Sequence, residues 1–213
     1  MEIQRTSNAG VLLKLDGVSI LLDGLCDRVE GYLPTPPAIA DQLLRTPPDV
    51  LAFTHCHADH CSEALLLPYR KQNLRPILGP ESLYMERVRV GGVTIMPVES
   101  RHLGKVEPGL RHVSYIIEGS QCVWFVGDAA PVQWKNRSDL PRPDVLIAPY
   151  AYGNTKAAWE LSCSLTDRMV LLHLPPREAD PYGLWCAVEQ TVEKGVDVPV
   201  WIPEIGEKIC IDA

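Results

Sequence analysis

Residues 11–22, VLLKLDGVSILL, are two apolar runs split by Asp16-Gly17. Asp-Gly between hydrophobic runs suits a tight two-residue turn, so the segment predicts a β-hairpin. Further apolar runs of strand length fall at residues 50–53, 93–98, 113–117, 123–126, 145–148 and 169–172. Several are nearly continuous rather than alternating, the pattern of strands covered on both faces. Helical segments lie between them. Residues 62–67 open with a serine cap, 80–86 with a first-turn proline and 154–165 with an asparagine cap. Residues 180–195 combine an aspartate cap, a proline and a terminal glycine. Hairpins come first, and strands then alternate with helices, which predicts sheets in the middle and helices outside. No linker, repeat or low-complexity segment interrupts residues 1–213, so a single domain is expected.

Composition narrows this only slightly. Hydrophobic residues make up 46% and charged residues 22%, ordinary values for a globular chain. No long uncharged apolar run is present, so no membrane span is expected, and the first residues lack the layout of a signal peptide. A net charge of −7 argues against a broad nucleic-acid footprint. Seven scattered cysteines without a CxxC pair do not form a disulfide framework, and free thiols suit a reducing cytoplasm.

The chemistry concentrates at the end of one strand. An apolar run ending at Phe53 leads into Thr54-His55-Cys56-His57-Ala58-Asp59-His60. In extended backbone, residues two apart face the same way, so His55 and His57 can pinch one ion. A turn toward a helix beginning near Ser62 would swing Asp59 and His60 toward an adjacent ion. His102, Asp128 and His173 each follow an apolar run, so their strand ends can meet at one rim. Imidazole and carboxylate suit zinc, iron, nickel or manganese. Any one of these residues taken alone reads as structural, but three unpartnered imidazoles and a carboxylate in six positions would be costly to bury.

This set resembles the metallo-β-lactamase superfamily. Residues 54–60, THCHADH, match its HxHxDH signature; His102, Asp128 and His173 follow in the expected order, and Asp23 follows the hairpin as in the family's opening. The resemblance covers roughly residues 8–175 and implies an α/β fold, an αββα sandwich with metals at one edge of the β-sandwich. It further implies His55, His57 and His102 on a first metal, Asp59, His60 and His173 on a second, and Asp128 bridging both, with two zinc ions favoured and manganese or iron as alternatives. Asp23 would orient the site from behind. A hydroxide between the metals would be the nucleophile, and Asp59 would orient it or carry its proton.

The implied activity is a dinuclear hydrolase acting on a small, anionic ester, lactone, thioester or phosphodiester, with no nucleic-acid partner. The alternatives are a mononuclear iron oxidoreductase resembling persulfide dioxygenases, and a non-catalytic metal-binding protein. Flavodiiron proteins carry a glutamate where His57 stands; capped nucleases and glyoxalase-II-like enzymes need more chain; β-lactamases proper are exported.

Lesser candidates remain. Cys56, between two ligands, should point away from the metals as a buried small residue, and Cys61 reads as packing. His112 reads as a surface histidine or, alternatively, a substrate contact. Tyr150 and Tyr152 follow a strand and line either the pocket or the core, whereas Trp124 and Trp201 read as core. Arg101, Lys105 and Arg111 flank His102 or His112 and could hold an anion.

Overall fold

Asp16 (φ 50°) and Gly17 (φ 78°) both adopt positive φ, as a two-residue turn between right-twisted strands requires. They join β2 (Val11–Leu15) to β3 (Val18–Leu22), paired antiparallel with Val11 opposite Leu22. The structure, a computed structural model, describes residues 1–73, 75–85, 87–104, 107–195 and 198–212. In it the hairpin belongs to a six-stranded sheet in the order β13-β1-β2-β3-β4-β5. Its other members are β1 (Glu2–Arg5), β4 (Val50–Ala52), β5 (Ile77–Leu78) and β13 (Lys208–Cys210).

A seven-stranded sheet in the order β12-β11-β10-β9-β8-β7-β6 faces it. Its strands are β6 (Val88–Val90), β7 (Val93–Ser100), β8 (His112–Glu118), β9 (Cys122–Phe125), β10 (Val145–Pro149), β11 (Met169–Leu172) and β12 (Val200–Trp201). The β9–β12 pairings are parallel, and β10 and β11 are buried along their whole length, which explains their continuous apolar sequences.

Period-two alternation sorts the side chains into layers. Leu13, Ile20 and Leu22 of one sheet join Ile117, Phe125, Ile147 and Val170 of the other in the central core. Their neighbours Leu12, Leu21 and Leu51 point outward, onto Leu43 of α1 (Pro37–Arg45) and Leu66 and Tyr69 of α2 (Glu63–Gln72). On the opposite outer face, Trp124, Leu146 and Leu171 pack under Trp159 of α3 (Lys156–Leu165) and Trp185 and Val188 of α4 (Leu184–Lys194). The layers are therefore helix, sheet, sheet, helix, the αββα arrangement expected. Each fully buried aliphatic side chain contributes roughly 1.5–3 kcal/mol.

Several local expectations need correction. The helix expected over 62–67 continues to Gln72 through an internal Pro68, capped by Ser62, whose hydroxyl accepts from the Leu65 amide. Segment 80–86 is a 3-10 turn over Pro80–Tyr84, and Glu86 lies outside the described residues. The last helix starts at Leu184, after Gly183 in a left-handed conformation; Asp180 accepts from the Trp185 amide instead of capping at its own position. Trp201 is only partly buried, at the edge of the central core. Among the described residues, no helix is long and apolar enough to cross a membrane.

Candidate metal centre

Parallel pairing puts several strand exits at one rim. β3 delivers Asp23 there, β4 delivers residues 54–60, β7 His102, β9 Asp128, β10 Tyr150 and β11 His173. Two residues make the exit turns in left-handed backbone, Asp23 (φ 48°) and His173 (φ 65°). Gly127 (φ 51°) makes a third, and a Cβ there would sit 2.6 Å from the Thr54 side chain, so only glycine lets the two sheets close to this distance.

All seven expected residues come together. Three overlapping groups could each hold an ion: His55, His57 and His102; Asp59, His60 and His173; and His55, His60 and Asp128, with ligand atoms of each group within 4.8 Å of one another. The Asp128 carboxylate is central: its Oδ2 lies 3.4 Å from His60 Nε2, 3.4 Å from His173 Nε2 and 3.6 Å from His102 Nε2. Asp59 Oδ2 is 3.1 Å from His173 Nε2.

The tautomers follow from what the opposite ring nitrogens do. Asp23 is fully buried and accepts from the Thr54 amide, the Thr54 hydroxyl (2.6 Å) and His60 Nδ1–H (2.8 Å). Since Thr54 Oγ1 donates to Asp23, it accepts from His55 Nδ1–H at 2.9 Å. His102 Nδ1–H donates to the Leu103 carbonyl. Lone pairs are thus left on Nε2 of His55, His60 and His102. His57 points the opposite way round: its Nε2 lies 3.2 Å from Glu107 Oε2, and its Nδ1 lies 2.9 Å from His55 Nε2. Two imidazole lone pairs that close repel unless a cation lies between them. His102 Nε2 and Asp128 Oδ1 are likewise buried without a hydrogen-bond partner among the described residues. The donor set fits a borderline divalent metal.

The electrostatics pull in two directions, keeping His55 neutral while favouring on His60 a proton that a bound cation would replace. Burial, with His60 and His112 close by, pushes the His55 imidazole far below its ordinary range, so it stays a neutral ligand. Burial would also strip His60, but Asp128 and Asp23 outweigh that and raise it well above its usual value. Burial would raise the Asp128 carboxyl, yet His173 and His60 hold it well below the carboxylate range.

His112 departs from its surface reading. It is buried, and its Nε2 accepts from the Asp128 amide at 3.1 Å. Its Nδ1–H then donates to Ser100 Oγ, which donates to Ser114 Oγ, which donates to the Val126 carbonyl. Burial pushes His112 down to about 3, consistent with a neutral ring holding the Asp128 loop from behind. Tyr152 is also behind the site: fully buried, it accepts from Trp134 and donates to the Ala129 carbonyl. Tyr150 is half-buried at the rim. Cys56 is exposed rather than buried, and in none of the candidate metal groups; its alternation away from the histidine cluster turns it to solvent. Cys61 packs against the α1–α2 layer, and burial pushes its thiol up to about 12. Arg101 and Arg111 are exposed on the loop beside His102, and Lys105 lies outside the described residues.

The sequence reading missed two rim residues. Tyr32 packs edge-on against His173, ring centroids 4.6 Å apart, and interacts with Tyr150. Glu107 contacts His57. A cavity of about 390 Å³, lined by Asn8, Leu33, Leu174 and Arg177 among others, touches none of the seven residues. A larger one, about 670 Å³ between α3 and α4, touches none of the seven residues.

The family model described as a β-lactamase superfamily domain matches residues 2–171. A UPF0173 metal-dependent hydrolase from Methanopyrus kandleri is 25% identical, over 97% of this chain and 98% of its own. Among solved structures, a possible metal-dependent hydrolase from Veillonella parvula superposes with a TM-score of 0.71 at 17% identity, covering 99% of both chains. An isothiocyanate hydrolase from Delia radicum gut bacteria gives 0.72 at 18%, covering both chains fully. With the signature residues gathered at one rim of an αββα sandwich and the family model spanning most of its length, the chain belongs to the metallo-β-lactamase superfamily.

Proposed function

We propose that this metal-dependent hydrolase works with two cations, most favourably zinc, on a small anionic ester, lactone, thioester or phosphodiester. His55, His57 and His102 hold the first cation, Asp59, His60 and His173 the second, and Asp128 reaches both. The observation that carries the reading is the convergence of five imidazoles, four of them oriented by outward hydrogen bonds, on two groups joined by one carboxylate. When bound, the cations supply Lewis acidity and a hydroxide nucleophile at neutral pH.

The chain's own groups do the rest. Asp23 and Thr54 keep His60 and His55 in the ligand tautomer. Asp59, partly exposed at the rim, is placed to take the proton released by the attacking water. Arg101 and Arg111 offer positive charge on the His102 side, which suits a carboxylate or phosphate on the substrate. Tyr32 and Tyr150 border the His173 side, where their rings can pack against the non-reacting part of a small molecule. Seven free cysteines suit work in a reducing cytoplasm.

A substrate panel tests this. Sugar-phosphate lactones, small phosphodiesters and small thioesters are compared with single-stranded RNA and DNA at matched metal and salt. Turnover is expected for a small anion and not for the polymers, which a net charge of −7 repels beyond the immediate site. RNA cleavage with no small-molecule turnover would overturn the reading.

A further inference from the structure

His57 is the one ring of its triad that presents Nδ1 inward, and its side chain is 30% exposed. A rotation about its Cβ–Cγ bond would turn Nδ1 away from His55. His55, by contrast, is buried and tied to Thr54. What pins His57 is Glu107, whose Oε2 accepts Nε2–H at 3.2 Å.

The placement of Glu107 is built into the local sequence. Glu107-Pro108-Gly109-Leu110 forms a β-turn closed by the Leu110 amide donating to the Glu107 carbonyl at 3.1 Å. Proline at the second position and glycine at φ 86° in the third are the type II arrangement. The strand after the turn is tied to the site, since the Val113 amide donates to the Thr54 carbonyl at 2.9 Å. The turn therefore fixes the Glu107 backbone beside His57, from where its carboxylate reaches Nε2.

We infer that Glu107 is a positioning residue for the first cation: it fixes the His57 ring with Nδ1 toward His55. The inference rests on the two-cation assignment above. Asp23 does the same for His60 from a dry interior, whereas Glu107 acts from the surface, with its side chain 58% exposed. Its effect is consequently screened by salt, and the two cation sites differ in their response to ionic strength.

The test is equilibrium zinc binding, measured by competition with a chromophoric chelator, on the full chain and on Glu107→Ala and Glu107→Gln, at low and high salt. Removing a carboxylate that orients a ligand histidine weakens metal binding by about 10–100-fold, and an exposed one belongs at the lower end. Glu107→Ala is expected to weaken one of two zinc sites about tenfold at low salt and leave the other unchanged. Glu107→Gln, which keeps an acceptor oxygen without the charge, falls between, and the wild-type advantage over it shrinks at high salt. Imidazole nitrogen NMR of the metal-free proteins should show His57 Nε2 losing its hydrogen-bonded signature in the alanine variant. Unchanged melting temperatures rule out a folding effect. Wild-type affinity at both sites in Glu107→Ala at low salt would overturn the inference. A wild-type chain that binds one ion in total would instead refute the two-cation assignment, and Glu107 would then stand or fall on whether that ion weakens.

Discussion

Asp128 is the residue on which the centre turns. One carboxylate oxygen lies 3.4–3.6 Å from three imidazole nitrogens on the loops after different strands, while its backbone amide is held by neutral His112. A neutral amide would fit the same space but could not balance two cations. Asp128→Asn is expected to fold normally and to lose turnover roughly a hundredfold or more, several kcal/mol of lost charge stabilisation. Steady-state kinetics beside a melting curve checks this; normal metal content and normal turnover would show that another group joins the two sites. The HxHxDH cluster and the later His102, Asp128 and His173 were legible because each is a metal-binding residue type just past an apolar run. His112 was not, because a buried histidine facing two serines looks in sequence like any histidine at a strand start. Tyr32 was equally silent, lying in an irregular loop whose course no periodicity reports. The Glu-Pro-Gly-Leu turn was the one signal that could have found Glu107.

At the scale of elements, strand exits set the site and helices hold the strands. β10 and β11 were legible as strands covered on both faces because their apolar runs are unbroken; their parallel pairing came only with the structure. β1, β5, β6, β12 and β13, two to four residues each, were missed because so short a run carries no period. The start of α4 was misplaced since Asp180 and Pro181 resemble an ordinary cap; the chain first makes a 3-10 turn at Arg177–Ala179 and enters the helix only after Gly183. Leu146 shows the division of labour: fully buried under α3 and α4, it faces away from the metal rim. Leu146→Ala should therefore lower stability by about 2–5 kcal/mol, through lost burial and a residual cavity, while zinc affinity holds. Chemical denaturation and zinc titration separate the two; equal losses in both would mean that the β10 exit depends on packing beneath it.

The whole molecule places a centre rich in histidine and aspartate at the edge of a chain of net charge −7. Its two sheets approach closely at the rim through Gly127 against Thr54. The central claim is that this edge holds two ions on separate histidine groups joined by Asp128. Elemental analysis of the chain reconstituted with zinc, run beside His57→Ala, tests it most directly. The account predicts two ions per wild-type chain and one in the variant. One ion or none in the wild type, or two in both proteins, would contradict it.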